Sequence, residues 1–301
     1  VASGPSRTAR ATYLAYRAGA SVALALPEFV ARPAARGVGR ALSLSLRGRR
    51  AMVERHLRRV HGPALQGLAL QRAIAKSFDS YTRYWLESFR LPSRTHADVD
   101  AHFSIDGLHL IDEALAGGKG AIVALPHLGG WEVGGYWLAG LGYRFTVVVE
   151  PLEPAELFEW FADYRRSLGM NIVALGPDAG PTILRALKDN QLAGLLCDRD
   201  LRGDGCEVEF FGERTTLPGG PATLALRTGA PIMPAAVYFR PDNGHHAVVK
   251  PPLTVERTGR LRDDVGRVTQ DLAYALEDLI RAAPEQWHLM QPNWPSDRAQ
   301  R

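Results

Sequence analysis

Two cysteines in 301 residues, Cys197 and Cys206, leave no room for a disulfide framework, and without a companion His/Cys pattern they do not support a zinc site. So little cysteine suits a reducing compartment. Long apolar runs are missing too: the best stretch, Ala18 to Pro27, falls far short of the ~20 residues that cross a bilayer. The same stretch makes a poor signal peptide, because Ser21-Val-Ala-Leu-Ala-Leu26 is a weak apolar region and Pro27-Glu28 a poor cleavage site. The sequence therefore reads as mature protein. Three catalytic signatures are also absent: G-x-S-x-G, H-E-x-x-H and G-x-x-x-x-G-K-[ST], for Gly117-Gly-Lys-Gly-Ala121 lacks the length and the hydroxyl of the last.

Lysine and acid are scarce at the amino-terminal end. Residues 1–60 carry twelve arginines (7, 10, 17, 32, 36, 40, 47, 49, 50, 55, 58 and 59), no lysine, and only Glu28 and Glu54 as acids. That segment is +10 in a chain of net +4, so the remainder is −6. Tyr13, Leu14, Tyr16, Val22, Leu24, Leu26, Phe29 and Val30 are interleaved with those arginines, the pattern of helices lying on an anionic membrane surface. A solvated basic face is the plainer alternative. No zinc finger or RNP pattern accompanies the charge, so nucleic acid is not expected as a partner.

With 46% hydrophobic residues the chain can bury a large core, and one domain is expected over 1–301: a helical, basic, membrane-facing extension over 1–91 and an α/β core over 92–301. From Arg10 to about Leu91 the periodicity is helical. Phe78, Tyr81, Trp85 and Phe89 fall at steps of three and four, a single stripe that usually means core and less often the lining for an acyl chain. Beyond Pro92 the period changes to alternating units. Strands are predicted at 121–126, 145–150, 171–175, 192–197, 232–240 and 246–250, with helices at 131–141, 154–168, 180–189, 220–228 and 264–282. This predicts an α/β fold with a mainly parallel central sheet flanked by helices, whose last strand is free to run antiparallel.

The most informative stretch is Ala121-Ile-Val-Ala-Leu-Pro-His127-Leu-Gly-Gly-Trp-Glu132, where an apolar strand stops at a histidine, two glycines and an acid. His127 stands at the carboxyl end of a strand, where open α/β sheets bind ligands, and imidazole moves protons near neutral pH. It is a candidate catalytic base. Glu132, five positions on, could hold its tautomer only if His127 precedes the helix, as Gly129-Gly130 suggests. Other polar groups gather at predicted strand ends: Glu150, Asp198 and Asp200, with Arg165-Arg166 late in a helix. Any one of these acids alone could be a helix cap or turn residue. Together on one rim they point to a site. A histidine with no protein nucleophile beside it suits a reaction whose substrate brings its own hydroxyl, namely acyl transfer from a thioester to an alcohol.

The block His127-Leu-Gly-Gly-Trp-Glu132, then Arg165-Arg-Ser-Leu-Gly169, Asp198-Arg-Asp200 with Phe210-Phe-Gly212 and Pro218, Pro231-Ile-Met-Pro234, and Ala283-Pro-Glu-Gln-Trp287 resembles the bacterial lipid A acyltransferase family over roughly residues 75–295. The ending Trp287-His-Leu-Met-Gln-Pro-Asn-Trp294 and the arginine-rich start resemble its actinobacterial branch, which acylates phosphatidylinositol mannosides. The family's H-x-x-x-x-D/E motif maps onto His127 and Glu132, while Glu150, Asp198 or Asp200 could support the histidine instead. The resemblance implies an acyl-coenzyme A-dependent O-acyltransferase, a glycolipid acceptor, no metal and no cofactor, and a peripheral place on the cytoplasmic face of the plasma membrane. Backbone N–H groups of Gly129 and Gly130, with Arg165 or Arg166, are the expected contacts to the reacting oxyanion and substrate. The competing readings are another lipid acceptor, such as a glycerol phosphate or lysophospholipid, and a non-catalytic lipid-binding protein. Among the other histidines, His56, His61, His96, His102, His109, His245 and His246 read as solvated or structural, and His288 could face the groove.

Overall fold

The computed structural model describes residues 7–298, so the outermost residues of the expected 1–301 domain lie outside it. The first part is four helices, α1 (Arg7–Ala25), α2 (Glu28–Ser45), α3 (Arg47–His61) and α4 (Gly67–Arg90). One continuous helical pattern becomes four rods at identifiable points. Pro27 sits extended (φ −57°, ψ 148°) ahead of α2, Leu46 leaves the helical region before α3, and Gly62 ends α3 at φ +72°, a conformation glycine adopts without cost. Val53 and Leu57 of α3 bury against Leu70, Ile74 and Phe78 of α4. The aromatic stripe divides its duties: Phe78 is core, whereas Trp85 and Phe89 both pack edge-on with Tyr16 of α1. Among the described residues, no helix is long and apolar enough to cross a membrane.

Then follow α5 (His96–Asp100), β1 (Phe103–Asp106), α6 (Leu108–Ala116), β2 (Ala121–Leu125), α7 (Trp131–Gly140), β3 (Phe145–Val149), α8 (Ala155–Ser167), β4 (Asn171–Ala174), α9 (Ala179–Lys188) and β5 (Leu192–Leu196). The chain continues through β6 (Cys206–Phe210), β7 (Glu213–Leu217), α10 (Gly220–Thr228), β8 (Ile232–Phe239), β9 (His245–Val249), α11 (Leu261–Ala282) and the short α12 (Pro295–Arg298). The main sheet has the order β1-β9-β8-β2-β5-β3-β4. Every neighbouring pair in it is parallel except β8 and β9, so the closing strand is antiparallel as its sequence allowed.

Alternation along the strands sends side chains into two cores. Ile122 and Ala124 of β2 join Ile183 of α9, Ala225 of α10 and Leu272 of α11 on one face, while Val123 and Leu125 join Val133 and Trp137 of α7 and Ala162 of α8 on the other. The predicted strands and helices from β2 onward are all present, within a few residues at their ends. Three features were not expected. β1 is only four residues, too short to show a period, and α5 and α6 flank it. The β6–β7 hairpin turns at Phe211-Gly212, both at positive φ (52° and 74°), a primed two-residue turn that places a bulky residue where Asn or Gly is usual.

Candidate active site

Strand register creates the centre of the site. β2 and β5 are parallel neighbours with Leu125 opposite Leu196, and His127 and Asp198 each stand two residues past that pair. The Cys197 N–H continues the ladder to the Leu125 carbonyl at 2.8 Å. Beyond it His127 Nδ1 meets Asp198 Oδ1 at 2.6 Å, and the His127 backbone N–H donates to Asp198 Oδ2 at 3.1 Å. The Asp198 side chain is fully buried (0% exposed), while the His127 side chain retains 31%. The chain leaves β2 through α7 on one face of the sheet and β5 toward α10 on the other, so the two loops diverge here, as they do at ligand sites of open α/β sheets.

Burial is the largest influence on the Asp198 carboxyl and by itself would raise its pKa; the His127 ring, the Trp287 indole and the His127 N–H outweigh it and hold the group below the ordinary aspartate value. Asp198 is thus an anion next to the imidazole. Bound at Nδ1, the ring keeps Nε2 for a substrate, and the carboxylate fixes the tautomer that leaves Nε2 able to accept a proton.

Glu132 does not join this pair. It starts α7 with its side chain buried, and it accepts bonds from Arg165 Nε at 3.0 Å, Arg165 Nη2 at 2.5 Å, the Tyr84 hydroxyl at 3.1 Å and the Tyr164 hydroxyl at 3.4 Å. Burial and the Glu132 charge push both tyrosine hydroxyls well above their usual pKa. Burial opposes the Arg165 charge, yet the Glu132 carboxylate outweighs it and raises the guanidinium's pKa. The cluster clamps α4, α7 and α8 together. The expected contact of Glu132 with His127 is therefore corrected: the first turn of α7 aims it at α4 and α8.

The two glycines also behave differently from expectation. Gly129 adopts φ +58°, and a Cβ there would overlap the Val237 carbonyl oxygen, so only glycine fits. Its N–H donates to the Gln286 carbonyl and that of Gly130 to the Val237 carbonyl, each at 2.9 Å. Neither N–H is free for an oxyanion, and the glycines shape the loop rather than line it with donors. Of the remaining sequence candidates, Arg165 is held by Glu132, and Arg166 pairs with Asp163 at 2.7 Å on the exposed side of α8. Glu150 pairs with Arg199 at 2.5 Å, and Asp200 accepts the N–H groups of Arg202, Gly203 and Gly205 in a turn. Among the three candidate supporting acids, Asp198 is the one bonded to the histidine.

Sequence reasoning singled out the Trp287-to-Trp294 segment for its resemblance and His288 for a place near the groove, but gave Trp287 and Asn293 no part in the site. The Trp287 indole donates to Asp198 Oδ2 at 2.7 Å, the His288 N–H to the His127 carbonyl at 2.7 Å, and Asn293 Nδ2 to the Asp198 carbonyl at 3.0 Å. His288 is half-buried, bonded to Ser80 at 2.9 Å, and its pKa falls to about 3 through desolvation and the neighbouring His127. It stays neutral at working pH. The density of aromatic and amide residues from Trp287 to Trp294 was the available signal.

Against the α7 face of the sheet, starting under the catalytic loop, lies an apolar cavity lined by Leu125, Trp131, Gly134, Val147, Leu196 and Val237. Among the described residues no serine or cysteine side chain is bonded to the His127 ring. This α/β fold, with a histidine–aspartate pair at the rim of its sheet, matches a family of acyltransferases. The chain belongs to the bacterial lipid A biosynthesis acyltransferase family, whose profile it matches over residues 6–296. It is 39% identical over 299 residues to a phosphatidylinositol mannoside acyltransferase of Mycobacterium tuberculosis (strain CDC 1551 / Oshkosh), covering 97% of this chain and 91% of that protein. It is also 37% identical over 289 residues to a protein of the same name from Mycolicibacterium smegmatis (strain ATCC 700084 / mc(2)155), covering 95% of this chain and 92% of the other.

Proposed function

We propose that this protein transfers a fatty acyl group from acyl-coenzyme A to a mannose hydroxyl of a phosphatidylinositol mannoside, with His127 as general base. The observation that carries the reading is the half-buried imidazole bonded at 2.6 Å to a fully buried aspartate at the carboxyl ends of two central strands. The acceptor hydroxyl oxygen attacks the thioester carbonyl carbon as its proton passes to His127 Nε2. Asp198 stabilises the imidazolium that forms. The tetrahedral intermediate collapses, the carbon–sulfur bond breaks, and the imidazolium returns the proton to the coenzyme A thiolate. An ester and a free thiol remain. General-base assistance of this kind is worth about 10²–10⁴ in rate. The oxyanion draws on donors other than Gly129 and Gly130, whose N–H groups are already spent.

The acceptor class follows the relatives' names and their identity over nearly the whole chain. A peripheral position on the cytoplasmic face of the plasma membrane is supported by the arginine-rich helices and by apolar side chains they leave in solvent, Phe29 (80% exposed), Leu14, Val22 and Leu44 among them. Thiol release from palmitoyl-coenzyme A, followed with a thiol reagent and with lipid mass spectrometry, tests the chemistry. Release and acceptor acylation are expected from the parent protein and neither from His127→Ala; a fully active His127→Ala variant overturns the assignment.

A further inference from the structure

We propose that Trp287 is a positioning residue for this transfer, its indole N–H locking the Asp198 carboxylate in the plane that aims Oδ1 at His127 Nδ1. The inference rests on His127 acting as the base. A carboxylate on a short side chain can rotate about its last bond, and Oδ1 holds the imidazole through one contact. Two donors to Oδ2 stop that rotation, the His127 backbone N–H at 3.1 Å and the indole at 2.7 Å. The indole is the shorter and belongs to a different part of the chain, so it ties the orientation of Asp198 to something other than the loop that carries the base.

Everything around Trp287 fixes the indole in turn. Leu128 and Trp287 form an antiparallel bridge flanked by the Gly129-to-Gln286 and His288-to-His127 backbone bonds. The Gln286 amide grips Phe239 at both its N–H (2.7 Å) and its carbonyl (3.0 Å), pinning the segment to the end of β8. The Trp287 side chain is buried between His56 of α3, at 5.4 Å between ring centres, and Phe211 of the hairpin turn, at 5.7 Å. Phe211 holds its unusual positive φ where its ring meets this indole, which gives that costly conformation a purpose. A residue needed only to fill space could be any large apolar ring; the polar edge turned onto a fully buried anion is what a filler does not require.

Removing the donor changes two things. The carboxylate loses a bond that fixes its plane, so fewer molecules hold the imidazole in line, and kcat falls. Charge that Oδ2 had shared with the indole becomes available to the imidazolium, so His127 keeps its proton to higher pH and the acidic limb of the rate profile moves toward neutrality. Other titratable or charged groups nearby are Cys197 beside Asp198, His288 beside Trp287, His56 with Asp297 behind it, and Arg281 over Phe211. An isosteric exchange at Trp287 leaves all of them in place.

The decisive variant replaces the indole by benzothiophene, which keeps the shape and exchanges N–H for sulfur; Trp287→Phe accompanies it. With palmitoyl-coenzyme A and the mannoside acceptor, the benzothiophene protein is expected to melt within a few degrees of the parent, to keep its KM, to lose roughly tenfold in kcat, and to show its acidic limb at higher pH. Parent-like kcat and pH profile in that protein overturn the proposal, and so does a rise in KM with kcat unchanged, since both mean that Trp287 only packs. Failure of the underlying base reading would appear elsewhere, as retained activity in His127→Ala.

Discussion

Two histidine–carboxylate pairs stand on the same rim of the sheet, and they do different work. His127 and Asp198 meet at 2.6 Å, His245 at the start of β9 and Glu87 of α4 at 2.8 Å. Bond length does not separate them. The His245 side chain is 8% exposed and Glu87 9%, Arg83 adds a second bond to the same carboxylate at 2.7 Å, and Phe103 and Phe239 pack on the ring. His245 also presses on the catalytic loop, where a Cβ on Gly130 would come within 2.7 Å of its Cδ2. One pair therefore bolts α4 to the sheet, and the other leaves its ring partly open to solvent. On the proposed reading, an open second nitrogen makes an imidazole a base, more than the acid behind it.

The largest effect expected from this contrast is in His127→Ala, which should lower transfer about 10³-fold at a cost of only a few degrees in melting temperature, because the Trp287 indole and the backbone N–H of residue 127 still hold Asp198 and solvent reaches the vacated ring site. His245→Ala should do the reverse. It leaves a cavity between Phe103 and Phe239 and takes from buried Glu87 one partner while Arg83 stays, together about 3–5 kcal/mol, on the order of 10 °C in melting temperature, with a much smaller change in kcat per folded molecule. Calorimetry and titrated-enzyme kinetics on the two variants check both halves, and an equal loss of kcat in each would collapse the distinction.

A finer test separates the two acids nearest His127 in sequence and in space. Glu132→Gln removes the partner of Arg165 and should cost about 1.5–3 kcal/mol of stability while leaving the acidic limb of the rate profile in place. A displaced limb in that variant would return Glu132 to the relay. The smallest effect concerns acid. Glu87 has burial as its largest influence, yet its bonds to His245 and Arg83 lower its pKa, as His127 and Trp287 lower that of Asp198. A carboxyl depressed in the folded state adds stability that is complete above its unfolded value, about 4, and is lost as pH falls through the folded one. The melting temperature should hold from pH 7 to about 5 and then decline, less steeply in Glu87→Gln; an unchanged slope would remove Glu87 from the acid response.

Much of this was legible in residues. The apolar run into Pro126 and His127 marked a strand end, the alternation after Pro92 marked the sheet, and the acids after Leu196 were placed on the right rim. What the sequence withheld was long-range partnership. Glu132 is taken by Tyr84, forty-eight positions away, and the Gly129 and Gly130 N–H groups by carbonyls more than a hundred positions on. Local spacing cannot reveal such competitors. Nor can it order the strands: that β5 lies beside β2, which chooses Asp198 over Glu150, is a property of topology.

That topology has a practical side. Because the histidine and the aspartate each follow a matched pair, Leu125 and Leu196, their meeting is written into the ladder between two central strands. Loops farther out can be lengthened, traded or grafted while that spacing survives. An engineer seeking a new alcohol or a longer fatty chain can keep those two strands as a fixed chassis and recut only the walls.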